Sequence, residues 1–176
     1  PKYGPGKGIY YSVFHAISAF CNAGFDLMGG EQQFSSLVTM GNNWYLNLVI
    51  MILIIVGGLG FFVWRDLVVT RFHFKKCKLH TKIVLTTSII LIIAGAVIIF
   101  LMEFGEIGTQ GKSIPEQMLN AVFQSVTART AGFNTVDLTK LTEGSIFMMI
   151  MLMLVGGSPG STAGGMKTTT IAVLTI

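Results

Sequence analysis

No charged residue occurs between positions 32 and 64, or between 83 and 102, and each of these stretches is predominantly apolar. Either one covers the roughly 20 residues that a hydrocarbon core of about 30 Å demands of a helix. The pattern predicts a spanning helix over 44–64, with Trp44-Tyr45 at one end and Trp64-Arg65 at the other as interfacial anchors. It predicts a second over 83–102 and a third beginning at Gly144. Two shorter stretches, 9–21 and 115–129, carry apolar residues at helical spacing but are too short to cross. Pro115 suits the first turn of its helix, where a missing N–H costs nothing. Between these elements, 1–8 reads as a Gly/Pro/Lys entry loop, and 104–113 as an external loop. Segments 26–43 and 137–143 read as polar returns to the surface. Within 44–64, Gly57-Gly58 and Gly60 mark either close helix packing or a local bend, packing being the commoner reason.

The two short helices end alike. Phe20-Cys21-Asn22-Ala23-Gly24-Phe25 and Ala128-Arg129-Thr130-Ala131-Gly132-Phe133 share Ala-Gly-Phe, and each is followed by a long apolar run. A half-length helix, a one-glycine turn and a spanning helix make a re-entrant pore loop. Irregular backbone is tolerated at membrane depth only where it lines a cavity or is buried in protein, so the repeat points to a path for ions. Both turns enter from the same side. The repeat is therefore parallel, as expected of units arrayed around a central pore.

Composition agrees with a membrane protein: 52% of the 176 residues are hydrophobic and 11% charged, the latter well below the globular norm. The net charge of +4 is concentrated. Arg65, Arg71, Lys75, Lys76, Lys78 and Lys82 crowd one connection, whereas Glu103, Glu106, Lys112 and Glu116 lie at the opposite one. Lys/Arg bias in short loops places the basic connection in the cytoplasm, so both glycine turns approach from outside. A nucleic-acid patch is a poor reading of a segment held between two spans; anionic lipid headgroups fit it better. Cys21 and Cys77 fall on opposite sides of the membrane and cannot pair. No signal peptide is visible, and both chain ends read as cuts rather than natural termini.

After Val155 the third apolar run breaks at Gly156-Gly157-Ser158-Pro159-Gly160-Ser161-Thr162-Ala163-Gly164-Gly165. Each glycine costs about 1 kcal/mol and the proline about 3 kcal/mol against alanine in a helix. The 12 preceding residues, 144–155, make only about 18 Å of helix, so the gap begins inside the membrane and helix resumes at 166–167. An unwound polar segment beneath a pore loop can act as a movable plug. The run also resembles a phosphate-binding loop, but Met166 separates the last glycine from Lys167 and no strand precedes it. Arg129, a cation one residue before a turn, is expected to point away from the ion path and brace its helix, on carbonyls or on an acidic partner such as Glu103 or Asp137. His15 reads as a packed helix residue. Paired carboxylates, a nucleophile with a base, and metal-ligand spacing are missing, so there is no catalytic case.

The order of elements, the turns CNAGF and TAGFN, and the interrupted helix LVGGSPGSTAGGMKTTT together resemble the membrane subunit of the Ktr potassium transporters, in the Trk/Ktr/HKT superfamily. The likeness covers essentially the whole chain, as the end of the second and most of the third of four repeats. It implies an all-α membrane protein of M–P–M pore-loop repeats, with one spanning helix broken by an intramembrane Gly-rich loop. Residues 1–72 would supply the pore helix, filter and second span of repeat two, 73–82 the basic cytoplasmic linker, and 83–176 repeat three. By resemblance, Asn22-Ala23-Gly24-Phe25 and Thr130-Ala131-Gly132-Phe133 are two of four filter segments, holding K⁺ at backbone carbonyls alone. Residues 156–165 match the gate loop. Further implications are a homodimer in the plasma membrane, docked on a cytoplasmic nucleotide-binding ring. ATP and ADP would act on that ring and no cofactor would bind this chain. Half the filter is missing from the chain, which alone should not conduct. Two other readings remain open: a Na⁺-permeable member of the superfamily, and a broken-helix secondary transporter of a small solute.

Overall fold

The computed structural model describes residues 4–30, 36–104, 111 and 113–174. Among the described residues seven α-helices follow one another: α1 (Pro5–Phe20), α2 (Trp44–Leu59), α3 (Phe61–Val69), α4 (Leu79–Glu103), α5 (Ile114–Thr127), α6 (Glu143–Leu154) and α7 (Thr168–Leu174). Among the described residues, extended pairing is confined to one parallel bridge between Val155 and Met166.

Local chemistry explains several helix starts. Asn43 caps α2 by accepting from the Leu46 amide at 3.2 Å. Ser113 and Glu116 form a capping box on α5, with Pro115 in its first turn. Thr142 caps α6 by accepting from the Ser145 amide at 3.2 Å. Its own amide and hydroxyl donate to one Glu103 carboxylate oxygen, both at 2.8 Å, joining the end of α4 to the start of α6.

Several helix boundaries differ from the sequence reading. Helix α1 begins at Pro5 rather than residue 9, because a proline preset for the first turn starts the helix despite two nearby glycines. Helix α4 starts at Leu79, four residues ahead of the expected 83. Helix resumes after the Gly-rich break at Thr168. The expected external loop 104–113 falls mostly outside the described residues.

The largest difference is in the expected span 44–64. Helix α4 is long and apolar enough to cross a membrane alone, but α2 and α3 meet that test only together and are bent by 91°. Gly60 makes the corner with φ 85° and ψ 153°, a region essentially reserved for glycine. A Cβ there would also lie 2.7 Å from the Pro159 carbonyl oxygen. Gly60→Ala should therefore destabilise the complete protein by about 1–3 kcal/mol, seen as a lowered unfolding temperature in detergent.

Three clusters hold the helices. Ala19, Ile50, Ile54, Phe123, Val126 and Phe133 join α1, α2, α5 and the second glycine turn. Leu59, Val63, Leu67, Cys77 and Val84 fill the corner between α2, α3 and α4. Ile99, Ala121, Met149 and Leu152 join α4, α5 and α6. At the basic connection the Asp66 carboxylate accepts from the Lys78 amide at 2.9 Å. The Thr81 hydroxyl first, and that amide second, hold the Asp66 carboxyl below its ordinary range. This tie is complete at neutral pH. It is lost only in acid, as pH falls through the depressed value.

Candidate functional site

The two glycine turns are built by one device. Each short helix ends, and the chain enters the left-handed region at alternate positions: Asn22 (φ 51°) and Gly24 (φ 69°) in the first, Thr130 (φ 72°) and Gly132 (φ 88°) in the second. Near each helix end a hydroxyl reaches over the turn. Ser18 Oγ donates to the Phe25 carbonyl at 2.8 Å, and Thr127 Oγ1 to the Phe133 carbonyl at 2.7 Å. Backbone bonds tighten both: the Ala23 amide donates to Ser18 at 2.9 Å, and the Ala131 amide to Thr127 at 3.0 Å.

These turns, far apart in sequence, touch at their glycines. A Cβ on Gly24 would overlap the Ala131 carbonyl oxygen and lie 3.1 Å from Gly132 Cα; one on Gly132 would lie 3.6 Å from Gly24 Cα. Asn22, Ala131 and Phe133 are buried, Gly24 and Thr130 half-buried, and Ala23, Phe25 and Gly132 exposed. The returns interlock as well, with the Leu37 amide donating to the Asn134 carbonyl at 2.9 Å. His15 is a packed helix residue. Its Nδ1 meets the Tyr11 carbonyl at 2.7 Å, its Nε2 accepts from the Leu27 amide at 3.4 Å, and its ring lies beside Phe133.

The Gly-rich segment forms a closed loop whose base is the Val155–Met166 bridge. The Gly156 amide donates to Met166, and the Met166 amide to Leu154, each at 3.0 Å. Its docking partner is the α2–α3 corner. A helix that stops leaves its last carbonyls and its successor's first amides unpaired, and the loop supplies the missing partners. The Ser158 amide donates to the Gly58 carbonyl at 3.0 Å, the Thr162 amide to Gly57 at 3.4 Å, and the Phe61 amide to the Gly160 carbonyl at 3.0 Å.

Thr162 also reaches the first turn. Its hydroxyl accepts from Asn22 Nδ2 at 2.9 Å and donates to the Phe20 carbonyl at 3.0 Å. Within the loop, Ser158 and Thr168 pair their hydroxyls at 3.2 Å, and Lys167 Nζ donates to the Ala163 carbonyl at 2.8 Å. The structure thus brings the first turn, the second turn and the loop into one contiguous assembly.

Arg129 is buried, and its guanidinium donates to Ser88 Oγ on α4 at 3.2 Å. Neither carboxylate considered for it is its partner. Glu103 lies 15 residues further along α4, about 22 Å of helix, and holds Thr142 instead. Asp137 accepts from the Thr139 hydroxyl at 2.7 Å and its amide at 3.1 Å, and the hydroxyl is the main cause of its lowered carboxyl pKa. Sequence reasoning missed the α2–α3 corner as a docking face, the hydroxyl braces and the Asn22–Thr162 pair. Ser and Thr next to a helix end were the available signal for the braces; Thr162 carried none.

Comparison with known proteins places this geometry in a family. The model of the cation transport protein family TrkH matches residues 5–175. The potassium/sodium uptake protein NtpJ of Enterococcus hirae is 42% identical over 176 residues, covering 100% of this chain and 38% of that protein. Ktr system potassium uptake protein B of Bacillus subtilis is 41% identical, covering 99% and 38% respectively. The chain therefore spans under two fifths of these relatives. The crystal structure of the potassium transporter TrkH from Vibrio parahaemolyticus superposes with a TM-score of 0.77 at 22% identity, over 94% of this chain and 34% of that one. Its likeness establishes the fold, a membrane architecture of pore-loop repeats.

Proposed function

The chain belongs to the TrkH family of cation transport proteins, and from that premise we propose that it supplies two of the four walls of a gated pore for potassium uptake. Residues 22–25 and 130–133 act as filter segments, and 156–165 as the gate below them. The observation that carries this reading is the contact between the Gly24 and Gly132 turns, with the loop hydrogen-bonded directly to the first. Glycines, with no side chain, leave backbone oxygens as the ligands for a weakly hydrated monovalent cation. Inward movement of one charge through 100 mV yields about 2.3 kcal/mol, so uptake needs no ATP hydrolysis by this chain.

The division into 1–72, 73–82 and 83–176 follows: end of one repeat, cytoplasmic linker, most of the next. The complete protein is then a homodimer in the plasma membrane, regulated by a nucleotide-binding ring that contacts the basic linker and the region after Lys167. Expressed in cells lacking other potassium importers, it should restore growth at low external K⁺; failure of an expressed, membrane-inserted protein to take up K⁺ would refute the reading. A second reading, with Na⁺ also carried, is favoured by the potassium/sodium uptake protein at 42% identity. Competition between the two ions in the same uptake assay separates them.

A further inference from the structure

We infer that the corner between α3 and the start of α4 is a binding site for an anionic phospholipid headgroup. A cavity of about 520 Å³ opens there. Its lining combines Arg65 on α3, and Lys78 and His80 at the start of α4, with the apolar Phe62, Val69 and Pro159. The carboxylate at the cavity, Asp66, is engaged by the Lys78 amide and Thr81. It is also the single acidic residue in 65–82, against six Lys and Arg.

The location selects a lipid over a soluble anion. The 91° bend turns α3 across the direction of α2, and the basic connection follows α3 directly, which sets α3 toward the cytoplasmic headgroups. Beside the cations, Val68, Val69 and Phe72 are 65%, 74% and 68% exposed, an amphipathic composition that suits the boundary between headgroups and acyl chains. The phosphate would meet Arg65 and Lys78, with the chain start along Phe62 and Val69. This site stands on the cavity and its charges, and does not depend on the ion-path reading.

The test is native mass spectrometry of the detergent-solubilised complete protein titrated with phosphatidylglycerol, phosphatidylcholine or soluble glycerol phosphate. Phosphatidylglycerol should be retained over phosphatidylcholine. Arg65→Gln with Lys78→Gln should weaken it about thirtyfold, equivalent to about 1 kcal/mol for each basic group. The double variant Arg65→Lys with Lys78→Arg, which preserves charge, should retain it. Equal retention of both lipids, or unchanged retention in the glutamine variant, would overturn the site. Displacement of phosphatidylglycerol by glycerol phosphate at equal concentration would overturn the lipid as occupant.

Discussion

Gly24→Ala should reduce potassium uptake by the complete protein at least tenfold, whereas Gly132→Ala should leave most of it. The two glycines match in sequence, yet their surroundings differ. At Gly24 a methyl group would overlap the Ala131 carbonyl oxygen, a backbone atom that cannot rotate away. A left-handed conformation costs a non-glycine residue a further 1–2 kcal/mol or so. The turns must then separate, and a filter built from them would open. At Gly132 the nearest atom to an added Cβ is Gly24 Cα at 3.6 Å, an ordinary contact, so only the backbone term remains. Gly132→Ser accordingly probes the lining without prising the turns apart, and should lower K⁺ over Na⁺ preference while uptake persists. Uptake and ion competition in the same importer-deficient cells read both effects. Equal, mild behaviour of the two alanine variants would remove the basis for treating the turns as one packed filter.

The second large effect is expected at the loop. Thr162→Val removes one hydroxyl that serves two hydrogen bonds, to Asn22 and to the Phe20 carbonyl, while the amide bond to Gly57 persists. Each bond contributes about 0.5–1.5 kcal/mol, so the docked state should weaken by roughly 1–3 kcal/mol, about five- to 150-fold in population. Flux in the absence of the regulator should rise, and Thr162→Ser should restore the low value. Deleting 158–162 should raise flux further, because it also removes the bonds to Gly58 and Phe61. No increase in either variant would argue against a gate.

Period and composition made much of the fold legible. The apolar stretch ending at Met102 became α4, the short amphipathic stretches became α1 and α5, and the glycine run broke the last span. These features depend on local residue types. The corner at Gly60 was harder, because GGLG inside an apolar run is more commonly the mark of tight packing. Both occur: Gly57 abuts the Phe20 carbonyl, while Gly60 turns the chain. Arg129 shows a different limit. Charge complementarity nominated carboxylates, but helix rise places Glu103 about 22 Å from Ser88 along α4, and a hydroxyl became the partner. The Asn22–Thr162 pair joins residues from opposite ends of the chain, and no local pattern encodes such a contact.

One measurement reaches the central claim directly: the structure of the complete protein soaked in Tl⁺, read by its anomalous signal. The account predicts Tl⁺ within direct coordination distance of main-chain oxygens in both 22–25 and 130–133. Turns packed against protein without an ion between them, with Tl⁺ bound elsewhere, would contradict it.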